Sequence, residues 1–366
     1  MDALSPPKFV RQGKNDVYHT LIKEVQEKVL QDSRLQLKAK RKAFGLLTMY
    51  WVFYACILIF GNHTLSLFIF YVLMGWTMIV LFVNSFHDAA HNALFKTPEA
   101  NRRFAYVLEF FGTNSHLWIQ RHILLHHPYA NIPNWDCDIK QSDLVRLFPN
   151  VKWYSFHRWQ HIYVWFLYPF YTLIWLYYRD FKDFFGTKDN YIKRVHQIPK
   201  MEYIKLFAAK ALNLFLVLGV PYLVLNHSFT IILLAWFTMH ILSSIVGVVA
   251  LISTHVDEDA VFPLPDDDGQ MKTTWMEHQM TVTKDFSAGH PVADFLYGGF
   301  THHVAHHLFP GVSHVFYPKI TPIIKDFAQK HNLPYTCYPV WAAIRSHYIL
   351  LKHRGIQPNL FFDGEL

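Results

Sequence analysis

The sequence predicts an all-α integral membrane protein with four transmembrane helices in two hairpins, a cytosolic helical cap and one interfacial helix. Three observations lead there. Residues 43–87 and 211–256 contain no Asp, Glu, Lys or Arg, and each run is about twice the length a helix needs to cross a bilayer. The 366-residue chain is 52% hydrophobic but only 17% charged, below the usual share of roughly a quarter. Its 24 histidines nearly equal its 27 acids. This composition excludes disordered, collagen-like and low-complexity chains. The 34 Lys+Arg give a formal net charge of +7, which suits anionic headgroups or an acidic partner protein; nucleic acid is not an expected partner. Three cysteines, Cys56, Cys137 and Cys337, are too scattered for a disulfide framework or a thiolate metal site.

Taken in order, residues 1–42 form a polar N-terminal segment ending in Lys38-Ala-Lys40-Arg41-Lys42. No apolar core lies near the start, so no signal peptide is expected. The remainder, 43–366, shows no linker or repeat and is read as one domain. Its first hairpin covers about 44–86 and turns at Gly61-Asn62-His63. The second covers about 207–251 and turns at Asn226-His227-Ser228. Lys210, near the start of that hairpin, is expected to reach the headgroups. Neither turn holds Lys or Arg, so the positive-inside rule puts both turns outside and both termini in the cytoplasm. The cytosolic cap is then 87–206 plus 252–366.

Residues 159–178 are also uncharged, and at 20 residues could span. Their aromatic content, with Pro169 in the middle, suits the headgroup belt. A crossing there would also put the histidine groups before and after it on opposite sides. An interfacial helix is therefore expected. Residues 104–120, which include Glu109, are too short to span and are expected to be buried or interfacial.

Three histidine clusters stand out: His87-Asp88-Ala89-Ala90-His91, His122-Ile-Leu-Leu-His126-His127, and His302-His303-Val-Ala-His306-His307. Helical residues four apart differ by about 40° around the axis, so such imidazoles share a face. His255 stands alone at the cytoplasmic end of the fourth crossing. A lone histidine is ordinarily a structural polar residue, but three clusters brought to one membrane face point to metal. Their number exceeds what one tetrahedral zinc takes, which favours two ions. All-imidazole sites suit zinc, copper, iron or nickel, and the lack of thiolates argues against an iron–sulfur cluster. Asp88, Asp136, Asp138, Asp257 and Glu258 are available to hold ligand rings through the second N–H. Spacing leaves the third cluster open between His302, His306, His307 and His303, His306, His307.

The order HDAAH, HILLHH, HVAHH resembles the three histidine boxes of the integral membrane fatty acid desaturases. The likeness extends to HHPYANIPNWDCDI, WMEHQMTVTKDFS and DFLYGGFTHHVAHHLFPGVSHVFYPKI, over roughly residues 40–340. It implies a diiron centre, two Fe with O2 as co-substrate, held by His87, His91, His122, His126, His127, His303, His306 and His307, with His255 as a ninth ligand. It favours His303 over His302. Asp88, Asp257 and His278 are the expected supporting residues around the ligands. Many relatives carry Gln where this chain has His303, and Leu251 stands where some relatives carry an asparagine. Residues 1–42 are too few for a fused cytochrome b5 domain.

The resemblance implies an oxidoreductase that places a cis double bond in an acyl chain carried on CoA, carrier protein or phospholipid. A ferredoxin or cytochrome b5-type donor would supply electrons. The enzyme would be multi-pass, with its active site on the cytoplasmic face of a bacterial inner membrane or the endoplasmic reticulum. Two alternatives stand beside it: a diiron acyl hydroxylase or acetylenase, and a metal transporter. The transporter would use intramembrane His240, since transport sites lie near the bilayer midplane.

Overall fold

The computed structural model describes residues 5–11, 17–139, 142–186 and 190–356. Among the described residues, four helices are long and apolar enough to cross a membrane: Ser33–Phe60, Thr64–Ala90, Lys200–Val224 and Phe229–Ile252. They fall where the two uncharged runs place them, but the first and third begin earlier than the apolar residues do. The first is capped by Asp32, which accepts from the Arg34 N–H at 3.1 Å, and runs unbroken through Lys38–Lys42. A charge ends the apolar stretch, yet Lys and Arg are good helix formers and do not end the helix.

The two hairpin turns meet each other at one end of the stem. Asn62 Oδ1 accepts from the Asn226 N–H at 2.7 Å, and the His227 ring lies 2.8 Å from the Gly61 carbonyl through Nε2. Thr64–Ala90 is the central helix, packed against both Ser33–Phe60 and Phe229–Ile252. Gly75 makes the second contact close, since a Cβ there would collide with Ser243 Oγ and Met239. Small residues of this kind let helix backbones approach where no water drives association.

The aromatic segment 159–178 is not one helix. It runs as Gln160–Leu167, a 3₁₀ turn Tyr168–Phe170 containing Pro169, Tyr171–Ile174, and a π turn Trp175–Arg179. Proline removes a helical N–H and forces the bend. Thr172 sits against the middle of Phe229–Ile252. Its N–H donates to Ser244 Oγ at 3.0 Å, and its hydroxyl lies 3.0 Å from His240 Nδ1. Trp159, Phe166 and Tyr178 stay exposed.

Lys210 does not reach outward. Its side chain is buried, and its ammonium donates to Asp180 Oδ2 at 2.6 Å and to the carbonyls of Gly112 and Leu176. In an apolar stem a nearby carboxylate and two carbonyls compete well with distant headgroups. The ion pair thereby ties the end of the aromatic segment to the third long helix.

Beyond the stem, Val17–Lys28 lays Leu21 and Val25 against Ile320, Ile324 and Phe327 of Tyr317–His331. Asp285–Phe286 and Cys337–Tyr338 pair as short parallel strands. The segment between the second and third long helices folds back over the end opposite the hairpin turns. Residues 104–120 are mostly buried in short helices there, Val107–Phe110 and Ser115–Arg121.

Candidate metal centre

Two of the three histidine boxes sit at π turns. Phe82–Phe86 leads directly into His87, whose N–H bonds to the Phe82 carbonyl. His122–His126 is itself a π turn, closed by the His127 N–H on the His122 carbonyl at 3.0 Å. A π turn widens the helix locally, and here His122 and His127, five apart, point the same way. The third box lies on the α-helix His303–Leu308, where residues four apart share a face.

The tertiary fold brings all nine predicted histidines together, in two adjoining groups. His87, His91, His122, His127 and His306 form one; His126, His255, His303 and His307 form the other, with ligand-capable nitrogens within 4.8 Å of one another in each. In the first, His122 Nε2 is 3.1 Å from both His87 Nε2 and His127 Nε2. In the second, His255 Nε2 is 3.0 Å from His303 Nε2 and 3.2 Å from His307 Nε2. Nitrogens bound at about 2.1 Å to one transition-metal ion stand about 3 Å apart. The groups touch, with the His127 and His307 ring centroids 4.5 Å apart. Neighbours in sequence thus serve different groups: His126 and His127 part company, as do His306 and His307.

Eight of the nine rings are buried, and His91 is partly exposed. Burial first, then the neighbouring imidazoles, holds His91, His127, His303, His306 and His307 well below the usual histidine range. Burial brings His255 down to about 3. These rings are neutral near pH 7 and offer lone pairs. His126 differs: burial lowers it, but the Asp136 carboxylate outweighs burial and raises it overall. His91 Nε2 and His306 Nε2 are buried with no hydrogen-bond partner, a costly state in an isolated protein and the expected one for metal ligands. The donor set therefore fits two transition-metal cations.

The far sides of the rings are held in turn. Asp138 Oδ2 lies 3.2 Å from His122 Nδ1, and both Asp136 oxygens lie 3.1 Å from His126 Nδ1. The Val282 carbonyl is 3.0 Å from His255 Nδ1, Gln279 Oε1 is 2.8 Å from His307 Nδ1, and the Tyr317 hydroxyl is 3.3 Å from His306 Nδ1. Such contacts fix the tautomer and aim Nε2 inward. Asp138 is anchored by Arg121 at 3.0 Å; although burial opposes ionisation, Arg121 and His122 keep its carboxyl well below the usual range.

Two expected supporting residues do other work. Asp88 touches no ligand ring; it accepts from Ser313 Oγ at 2.5 Å and His314 Nδ1 at 2.8 Å, tying the first box to the segment after the third. The single-residue step from His87, about 100° around the helix, points its carboxylate away from the centre. Asp257 faces Lys284 at 3.5 Å and also contacts no ligand. His278 lies 2.8 Å from the Ala130 carbonyl through Nε2 and steadies the loop after the second box. Gln279 is the residue that sequence reasoning passed over, although it stands beside His278 in WMEHQ. His302 turns away from the centre, with Nδ1 2.8 Å from Thr321 Oγ1 and Nε2 3.2 Å from Asp294. His240 is remote from both groups and bonded to Thr172.

An apolar cavity borders the histidines. Ile79, Phe82, Trp118, Leu251 and Phe300 form part of its wall, and His122, His126, His255 and His303 another part. It shares Asp138, Ile139, Tyr171, Arg179 and Leu251 with a second cavity, which reaches exposed Leu144 and Tyr178. It shares Ile79, Phe82, Thr172 and Trp175 with a third, closed by buried Met78, Leu108, Phe111 and Leu176.

The family model described as "Fatty acid desaturase" matches residues 62–339. The chain is 34% identical over 274 residues to an sn-1 linoleoyl-lipid 6-desaturase of Synechocystis sp., covering 74% of this chain and 75% of that one. It is 28% identical over 355 residues to an acyl-lipid (8-3)-desaturase of Physcomitrium patens, covering 94% and 73%. It is also 28% identical over 367 residues to a Delta(5) fatty acid desaturase A of Dictyostelium discoideum, covering 96% and 77%.

Proposed function

This chain belongs to the fatty acid desaturase family, and we propose that it uses two iron ions and dioxygen to place a cis double bond in the acyl chain of a membrane lipid. It is an oxidoreductase and a membrane fatty acyl desaturase. The observation that carries the finer reading is the division of nine histidines into groups of five and four beside an apolar cavity.

An unactivated methylene has no proton a side-chain base can remove. Bound in the two groups, the irons would supply the redox chemistry that side chains lack. The overall change balances when a –CH2–CH2– unit gives up two hydrogens. Dioxygen takes these with two electrons and two protons, leaving –CH=CH– and two waters.

The protein's own residues supply position. Asp136, Asp138, Gln279, Tyr317 and the Val282 carbonyl orient the rings. The acyl chain enters where the second cavity opens beside Leu144 and Tyr178, passes His122, His126, His255 and His303, and ends against Met78, Leu108 and Phe111. Phe82, Trp118, Leu251 and Phe300 exclude water along the middle of this path. The relatives' names speak of lipid-bound acyl chains, and a mouth flanked by the outer aromatic side chains of 159–178 supports access from the bilayer. The four long helices cross with both hairpin turns outside, and the histidines lie on the cytoplasmic side; the lack of Lys and Arg in those turns supports this.

The test is expression in a host of known lipid composition, with total fatty acid methyl esters examined by mass spectrometry. The expected product is 2 mass units lighter than its precursor. A product 16 units heavier, with no lighter one, would replace desaturation by hydroxylation.

A further inference from the structure

The histidine centre has two unlike sides. The acyl cavity reaches three of the four histidines in the second group, and only His122 of the first. On the other side, behind the first box, lies a polar cleft walled by Ala89, Ala90 and Asn92, which flank His91, and by Ile119 and Ile123, which flank His122. His91 is the one candidate ligand that is partly exposed. The metal centre thus comes nearest to solvent on the side away from the substrate path.

The cleft's rim is cationic. Arg102 and Lys205 line it, with exposed Tyr106 beneath Lys205, whose ammonium is 5.4 Å from the ring centroid. Arg103 and Lys96 are exposed beside it, and Lys40 reaches the Phe95 ring at 5.7 Å. Against these five cations stand Glu99, shared between Arg102 and Arg103, and Glu202, which is buried and bonded to Lys205 and Asn114. The face therefore keeps an excess of positive charge around an aromatic floor. Such a rim attracts and orients an acidic partner, and Arg and Tyr are favoured contact residues.

We propose that this cleft is the docking face for a small acidic one-electron carrier protein, and that electrons enter through the His91 edge. The proposal rests on the redox reading above, which requires two electrons from outside for each double bond. Two reduced carriers each lose one electron, and those two electrons complete the reduction of one dioxygen to two waters. Substrate and reductant thereby approach from opposite sides without competing for space.

The test uses the iron-loaded protein in detergent, with a plant-type ferredoxin as the carrier. Binding of the oxidised ferredoxin is measured across a salt series for wild type, the Arg102→Glu/Lys205→Glu pair, and Lys96→Glu alone. The expected result is at least tenfold weaker binding for the pair, a smaller loss for Lys96→Glu, and a flatter salt dependence for both. Product formed with reduced ferredoxin should fall in parallel, while single-turnover product with dithionite stays at the wild-type level. Wild-type failure with dithionite would strike at the redox reading itself. Unchanged ferredoxin binding in all variants would place docking elsewhere and overturn the proposal. Unchanged ferredoxin binding with lost binding to phosphatidylglycerol vesicles would make the face a lipid contact instead. Equal loss with ferredoxin and dithionite in both variants would also overturn it.

Discussion

Replacing Asp136 by asparagine isolates one supporting contact. Its buried carboxylate receives four donors: His126 Nδ1 at 3.1 Å, and the N–H groups of Asn131, Asp138 and Ile139 at 2.8, 2.9 and 3.2 Å. Asparagine keeps the size but has one acceptor oxygen, and its amide nitrogen must face a donor. Loss of the carboxylate behind a metal-binding histidine weakens metal affinity about 10- to 100-fold, or about 1.4–2.7 kcal/mol. The mismatched N–H adds about 1–3 kcal/mol to the cost of folding. His126 belongs to the group with His255, His303 and His307, so that group alone should empty. Iron analysis of Asp136→Asn, purified at limiting iron, should give about half the wild-type content, with product nearly abolished. Full iron content and full activity would refute the assignment of Asp136 as the residue that aims His126.

Other substitutions test the rest. His303→Ala should lose iron from one group and abolish product, whereas His302→Ala, whose ring faces Thr321 and Asp294, should retain both ions; metal analysis decides. Lys210→Met leaves Asp180 buried without its partner and should cost about 3–5 kcal/mol in thermal unfolding, with most recovered in Lys210→Met/Asp180→Asn. Burial lowers His347 from 6.5 to about 4. The unfolded chain therefore binds a proton there that the folded one refuses. Stability should fall as pH drops from 6.5 towards 4, by about 3 kcal/mol in full at 1.36 kcal/mol per unit, and His347→Gln should flatten that slope in detergent unfolding scans.

Much of the architecture could be read in advance because a bilayer punishes charge. The two uncharged runs located four long helices, and the turns at Asn62 and Asn226 lie where polar residues interrupt them. Helix ends at Ser33 and Lys200 were less visible, because a helix continues through Lys38–Lys42 once it leaves hydrocarbon. Lys210 was misplaced because its partner, Asp180, is distant in sequence. The same reason hid the work of Asp136 and Asp138: five carboxylates stand near histidines along the chain, and only the fold selects which two meet a candidate ligand ring. The π turns at Phe82 and His122 leave no simple periodic mark. Adjacent helical residues point about 100° apart, which sends His126 and His127, and His306 and His307, into different groups, so the likeness to a known family supplied the set of nine but not its division into five and four.

That division is tested most directly by iron stoichiometry in His306→Ala and His307→Ala, adjacent residues assigned to opposite groups. Purified wild-type protein should carry two irons per chain, each single variant about one, and the double variant close to none. Two irons retained in either single variant, or both lost from each, would contradict two separate histidine sites.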